Sequence, residues 1–218
     1  MEIRDILNKV DHTVLSQTAT WAEIKKVLDE AELYKTASAC IPPSMVKRAK
    51  AYKGNAVPIC TVIGFPNGYQ CNRVKAFECE DAVIDGADEL DVVIDLGDLK
   101  DGNDRKIQAD LKLLKEICGD RVLKVIVETC YLTREEKIRA CEIVTNSGAD
   151  FIKTSTGFGT AGAVSADIVL FSEHIGKNVK IKAAGGISTL SFAEELIKLG
   201  ASRLGSSKII KLVQEERK

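Results

Sequence analysis

The feature that most constrains what this chain can fold into is an alternation. Across its 218 residues, short apolar runs of strand character recur eight times, at 10–15, 36–41, 57–63, 89–95, 121–128, 150–154, 179–184 and 202–205. Each is followed by a stretch whose apolar positions have helical spacing. A helix between two strands carries the chain back to the starting edge, so the strands must run parallel. Eight such units in one chain predict an α/β fold closed into a (β/α)8 TIM barrel, with an open doubly wound sheet as the alternative. Ile3, Ile6, Leu7 and Val10 add a short N-terminal helix ahead of the first strand. Pro-rich or Ser-rich linkers are lacking, so residues 1–218 read as one domain.

Local signals agree with the alternation. Thr20 with Glu23, and Thr133 with Glu136, have the spacing of a capping box and predict helix starts at those points. Pro42 and Pro43 open the helix after the second strand, where a missing N–H costs nothing. The stretch between Asp95 and the helix near 104–118 carries Gly97 and Gly102 and reads as a loop.

Composition limits the function classes. The formal net charge is −1, which offers nucleic acid or an anionic membrane no electrostatic attraction. Apolar runs fall short of the roughly 18 residues needed to span a bilayer. The opening MEIRDILNKVD is charged and amphipathic, unlike a signal peptide. Seven cysteines without CxxC spacing read as reduced thiols of a cytoplasmic protein rather than a disulfide framework. His12 and His174 form no ligand motif, and no metal site is expected.

Several strands carry charge where charge is costly. Side chains alternate between the two faces of a strand. With Leu90, Val92 and Ile94 toward the helices, Asp91 points into the barrel. The same parity turns Lys124, Lys153 and Lys182 inward, while Lys180, near the start of its strand, reads as solvated. Buried lysines carry a large desolvation penalty. A salt-bridge network is one explanation. The other is covalent chemistry: burial and neighbouring cations lower a lysine's pKa until its neutral amine attacks a carbonyl. The stretch Gly148 to Gly159 holds Lys153 at its centre and ends in small and hydroxyl residues, which makes Lys153 the first candidate nucleophile.

The strand ends suggest an anion. TSTGFG (154–159), AGGIS (184–188) and GSS (205–207) follow the sixth, seventh and eighth strands. Glycines let the backbone approach an anion, and hydroxyls and helix-start N–H groups bind it. A phosphorylated substrate at these loops is the expectation.

Taken together, these residues resemble the DeoC type of class I aldolase, the family that acts on deoxyribose phosphate. The resemblance runs through Asp11-His12-Thr13, the Cys40 strand, Thr61 to Pro66 with Gly68, Gly86 to Asp91, Leu123 to Thr129, Ala149 to Phe158, and Lys182 to Ile187. It implies that Lys153 forms the Schiff base, that Lys182 depresses the Lys153 pKa and moves protons, that Asp91 is the acid/base carboxylate acting with a water, and that Lys124 braces Asp91. It implies substrate and phosphate contacts at Asp11, Thr13, Cys40, Thr156, Gly157, Gly185, Gly186, Ser188, Gly205, Ser206 and Ser207. The implied reaction is reversible cleavage of 2-deoxy-D-ribose 5-phosphate to acetaldehyde and D-glyceraldehyde 3-phosphate. No cofactor or metal is implied, because the imine is the electron sink, and a homodimer or homotetramer is expected. A different sugar-phosphate substrate, or a barrel that binds sugar phosphate without turnover, is the competing reading.

The resemblance breaks in places. Ser188 stands where many members carry a basic residue, and Ser206-Ser207-Lys208 replaces Thr-Ser-Ser, leaving Lys208 as another source of charge. Some members end in a tyrosine that assists proton transfer, whereas this sequence ends Glu215-Glu216-Arg217-Lys218, so that role is either absent or filled by water. Cys40 reads either as an inert buried thiol or as one that meets unsaturated aldehydes at the mouth.

Overall fold

The computed structural model describes residues 1–216; Arg217 and Lys218 lie outside it. A short helix α1 (Ile3–Leu7) leads into β1 (Val10–Thr13), α2 (Trp21–Tyr34), β2 (Ser38–Cys40) and α3 (Val46–Lys53). Then come β3 (Ile59–Ile63), α4 (Asn72–Ile84), β4 (Glu89–Val93), α5 (Leu96–Lys100), α6 (Asp104–Cys118) and β5 (Val122–Ile126). The remainder is α7 (Arg134–Ser147), β6 (Phe151–Lys153), α8 (Ser165–His174), β7 (Lys180–Ala184), α9 (Leu190–Lys198), β8 (Ala201–Ser206) and α10 (Ile209–Glu216). The eight strands are parallel and close in sequence order, β8 pairing with β1. This is the (β/α)8 barrel that the alternation predicts, not an open sheet.

Both predicted capping boxes form, at Thr20 and at Thr133. Elsewhere the elements differ from the sequence reading for identifiable reasons. The predicted loop after β4 holds a helix, α5, because the Asp95 carboxylate accepts the Asp98 N–H at 3.2 Å and caps it. The helix after β2 begins as a 3-10 turn over Pro43–Met45 before α3 starts. Strand β5 stops at Ile126 instead of Glu128, whose backbone is left-handed (φ 49°, ψ 65°) and enters a second 3-10 turn, Thr129–Tyr131.

Two kinds of interior result. Leu90, Val92, Leu123, Val125, Ile152 and Ala183 face the helix layer, fully buried. Burying such a side chain contributes about 1.5–3 kcal/mol for each Leu, Val or Ile. The other strand face fills the barrel, and register aligns its charges across neighbouring strands. Asp91 lies opposite Lys124, Lys153 opposite Lys182, and Lys182 opposite Arg203.

Candidate active site

Inside the barrel four cations meet three carboxylates. The Asp91 Oδ2 atom lies 2.7 Å from Lys153 Nζ and 2.6 Å from Lys182 Nζ. Its Oδ1 atom accepts from Lys124 Nζ at 2.8 Å and from the Cys60 thiol at 3.3 Å. Lys124 also reaches Glu89 at 2.6 Å, and Lys182 reaches Asp11 at 2.5 Å. Arg203 closes the network against Asp11 at 2.6 Å and Glu89 at 2.9 Å. Asp11, Asp91 and Lys124 are completely buried and Lys182 nearly so.

Burial alone would raise the Asp91 pKa. The Lys124, Lys153 and Lys182 ammonium groups override it and hold Asp91 well below the usual carboxylate range. Asp11 is likewise lowered: burial opposes ionisation, and Lys182, Lys124 and Arg203 outweigh it. Burial works against the Lys182 charge too, but Asp11 and Asp91 keep its pKa above the ordinary lysine value. Lys182 is therefore a fixed cation. Lys124, Lys153, Lys182 and Arg203 against Asp11, Glu89 and Asp91 leave one positive charge without a carboxylate of its own.

Of these seven groups, Lys153 reaches a cleft. The cleft holds about 350 Å³ at the carboxyl ends of β6, β7, β8 and β1. Thr13, Leu15, Ser16, Thr156, Gly157 and Phe158 line one side, and Ala184 to Ile187 with Gly205 to Lys208 line the other. Asp91 and Lys182 lie beneath the cleft, so the aligned strands present one amine to a ligand and keep its partners dry.

The walls are set by strand ends. Thr154 Oγ1 donates to Ala184 O at 3.2 Å and accepts from Ala184 N at 3.1 Å, tying β6 to β7. Glu128, buried, accepts the Thr156 N–H at 3.1 Å and also the Thr156 hydroxyl, which anchors the loop after β6. Gly185 and Gly186 both have positive φ, at 80° and 72°, which favours residues without a Cβ. Their N–H groups, with that of Ser207, find no backbone acceptor among the described residues. They remain free for an anion.

The structure brings most of the sequence-chosen residues together; of those expected to contact substrate or phosphate, it leaves three away from the cleft. Lys153, Thr13, Thr156, Gly157, Gly185, Gly186, Gly205, Ser206 and Ser207 line it. Asp11 does not: its carboxylate is buried against Lys182, Arg203 and Ser38, so it belongs to the charge network and not to a phosphate site. Cys40 is fully buried with Cys60 and Val62 and does not line the cleft. Its pKa is lowered, chiefly by the neighbouring Cys60 thiol. Ser188 is exposed and off the cleft, and the adjoining Thr189 side chain already caps α9 by accepting from Phe192 N at 3.1 Å. Lys180 is exposed, as the sequence suggests, over the Phe151 ring. Arg203, Cys60, Glu128 and Phe158 were not picked out in the sequence as single functional residues. Strand parity applied to 202–205 would have turned Arg203 inward; the loop residues offer no such period.

Two donor sets approach ligand geometry for a metal. The ligand atoms of Cys40, Cys60 and Asp91 lie within 4.8 Å of one another, as do those of Asp11, Cys60 and Glu89. Every carboxylate among them is already paired with ammonium or guanidinium groups. A dication would have to displace those cations, so the donors do not fit a metal centre.

Fold and cleft define the class: a (β/α)8-barrel enzyme with its site at the carboxyl ends of the strands and a lysine in the cleft wall. Comparison with known proteins sets the family. The model of the DeoC/LacD family aldolases matches residues 6–205, and the chain belongs to that family and is an aldolase. It is 58% identical over 216 residues to the deoxyribose-phosphate aldolase of Streptococcus pyogenes serotype M4 (strain MGAS10750), covering 99% of this chain and 97% of that one. Among solved structures, the aldolase QR15 matches with a TM-score of 0.93 at 37% identity, over 98% of this chain and 96% of that one. The tetrameric deoxyribose phosphate aldolase of Aeropyrum pernix matches at 0.89 and 28% identity, over 99% and 92%. No helix among the described residues is long and apolar enough to cross a membrane.

Proposed function

We propose that this aldolase cleaves 2-deoxy-D-ribose 5-phosphate reversibly to D-glyceraldehyde 3-phosphate and acetaldehyde through a Schiff base on Lys153, a step of deoxyribonucleotide catabolism. The observation that carries this reading is the placement of Lys153, in the cleft wall and 2.7 Å from a carboxylate oxygen that Lys182 shares.

Lys153 gives up its proton and attacks the C1 aldehyde of the open-chain sugar as the free amine, and loss of water from the carbinolamine gives a protonated imine. A water in the cleft takes the C3 hydroxyl proton and passes it to the Asp91 carboxylate below, beside the Lys182 ammonium. The C2–C3 bond breaks, its electrons enter the imine as an enamine, and glyceraldehyde 3-phosphate leaves. Protonation at C2 and hydrolysis release acetaldehyde and return the amine. Lys124 keeps Asp91 ionised and fixed through its 2.8 Å contact. The three strand-end loops hold the phosphate.

Seven free cysteines suit a reducing compartment such as the cytoplasm. Self-association is supported by the outer face of α4, where Phe77 and Ile84 are 68% and 79% exposed; light scattering on the purified chain tests it.

Borohydride added with deoxyribose 5-phosphate is expected to fix a covalent adduct on Lys153, located by peptide mass spectrometry, alongside glyceraldehyde 3-phosphate release in a coupled assay. An adduct on another lysine, or turnover without any adduct, refutes the mechanism.

A further inference from the structure

We propose that Lys208 is the specificity-determining cation of the cleft, the side chain that meets the charge of the substrate's phosphate. This rests on the sugar-phosphate reading above and assigns its anion recognition to one residue.

Among the groups that line the cleft, few are left to meet a phosphate. A phosphate monoester needs several hydrogen-bond donors, and its near-double negative charge favours a cation. Most of the hydroxyls at hand are already spent. Thr13 donates to Asp11 O at 2.7 Å, and Thr156 donates to Glu128. Ser206 donates to Ile187 O at 3.4 Å and accepts the Lys208 N–H at 3.1 Å. What remains on this side is the Ser207 hydroxyl and the free N–H groups of Gly185, Gly186 and Ser207. These are donors without net charge.

Lys153 and Lys208 are the cationic side chains among the lining residues. Lys153 is committed to Asp91 and to the floor. Lys208 is exposed at the rim and has no carboxylate partner among the described residues, whereas Lys211, one turn on, is paired with Glu215 at 3.8 Å. Its position follows from register. Gly205 pairs with Ala184, so the end of β8 lies beside the Gly185-Gly186 turn. Lys208 then follows Ser207 at the entrance to α10, whose first-turn N–H groups also favour an anion. Ser188, on the next loop, is off the cleft and leaves this role open. A lysine here acts as a flexible point charge that attracts any phosphorylated ligand without fixing the sugar.

The test compares kcat/KM for deoxyribose 5-phosphate with that for 2-deoxyribose, in the wild type and in Lys208→Ala, Lys208→Arg and Lys208→Glu. The ratio is expected to fall about 10- to 100-fold in Lys208→Ala, to fall further in Lys208→Glu, and to be largely kept in Lys208→Arg, with the change in KM more than in kcat. Inhibition of 2-deoxyribose cleavage by inorganic phosphate should weaken in the same order. A Lys208→Ala ratio and phosphate inhibition equal to the wild type overturn the assignment. Wild-type enzyme that shows no preference for the phosphorylated sugar overturns instead the substrate reading on which it rests.

Discussion

At the scale of single residues the barrel interior behaves as a charge sum. Four cations and three carboxylates share it, and Asp91 touches three of the cations. Removing a cation and removing a carboxylate should therefore differ in cost. Lys182→Met leaves three cations against three carboxylates and replaces a buried ion by an apolar chain of similar length. Its stability is expected to lie within about 2 kcal/mol of the wild type, with aldol cleavage largely lost. Asp91→Leu leaves four cations against two carboxylates, stranding buried charge, and is expected to cost about 3–5 kcal/mol. Urea midpoints at constant slope measure both; a Lys182→Met variant as unstable as Asp91→Leu sinks the charge sum. Asp91, Lys124, Lys153 and Lys182 were legible in the sequence because a period of two sorts strand side chains, and a charge on the inward face stands out. Asp11 was visible but misplaced, because a motif match does not say whether a carboxylate faces a ligand or a neighbouring arginine. The register that sets it beside Arg203, across the β1–β8 closure, is a property of the closed barrel.

At the scale of elements, the site depends on loops that the periodicity could not describe. Strand and helix order was readable from the alternation and the two capping boxes. The end of β5 was not, because Glu128 leaves the strand through a left-handed backbone that non-glycine residues seldom adopt. That turn brings its carboxylate to Thr156, and so one strand end holds the next. The loops after β6 and β7 meet even more closely. A Cβ on Gly162 would lie 2.3 Å from the Gly185 carbonyl carbon, and the Ala163 N–H donates to Ala184 O at 3.0 Å. Gly162→Ala is expected to push the Gly185-Gly186 turn out of place. The result should be a rise in KM for deoxyribose 5-phosphate of about tenfold or more and a stability loss of about 1–3 kcal/mol. Steady-state kinetics and urea unfolding check both, and an unchanged KM shows that the two loops are not held in register by this contact.

At the scale of the whole molecule, ring closure depends on groups whose ionisation changes in different pH windows. Asp11 and Asp91 have lowered pKa values in the fold, so the unfolded chain binds more protons than the native one as pH falls. Their contribution is complete above the ordinary carboxylate range and is lost below about pH 4. His12 acts higher. It sits on β1 between Ala39 of β2 and Ser206 of β8, with Nε2 2.9 Å from Glu30 Oε2 on α2. Burial lowers its pKa below the ordinary value of 6.5; the Glu30 hydrogen bond and charge raise it by less, and Lys26 lowers it further. The native state therefore favours neutral His12, and the stability this gives is full above pH 6.5 and declines as pH falls through the folded value. The wild-type urea midpoint is expected to fall between about pH 7 and pH 5, before the carboxylates begin to protonate. His12→Gln, which keeps an amide donor within reach of Glu30, should flatten that decline while leaving the steeper loss below about pH 4 in place. If the variant's midpoint falls as steeply as the wild type's over the upper window, the seam between β1 and β8 is not what senses pH there.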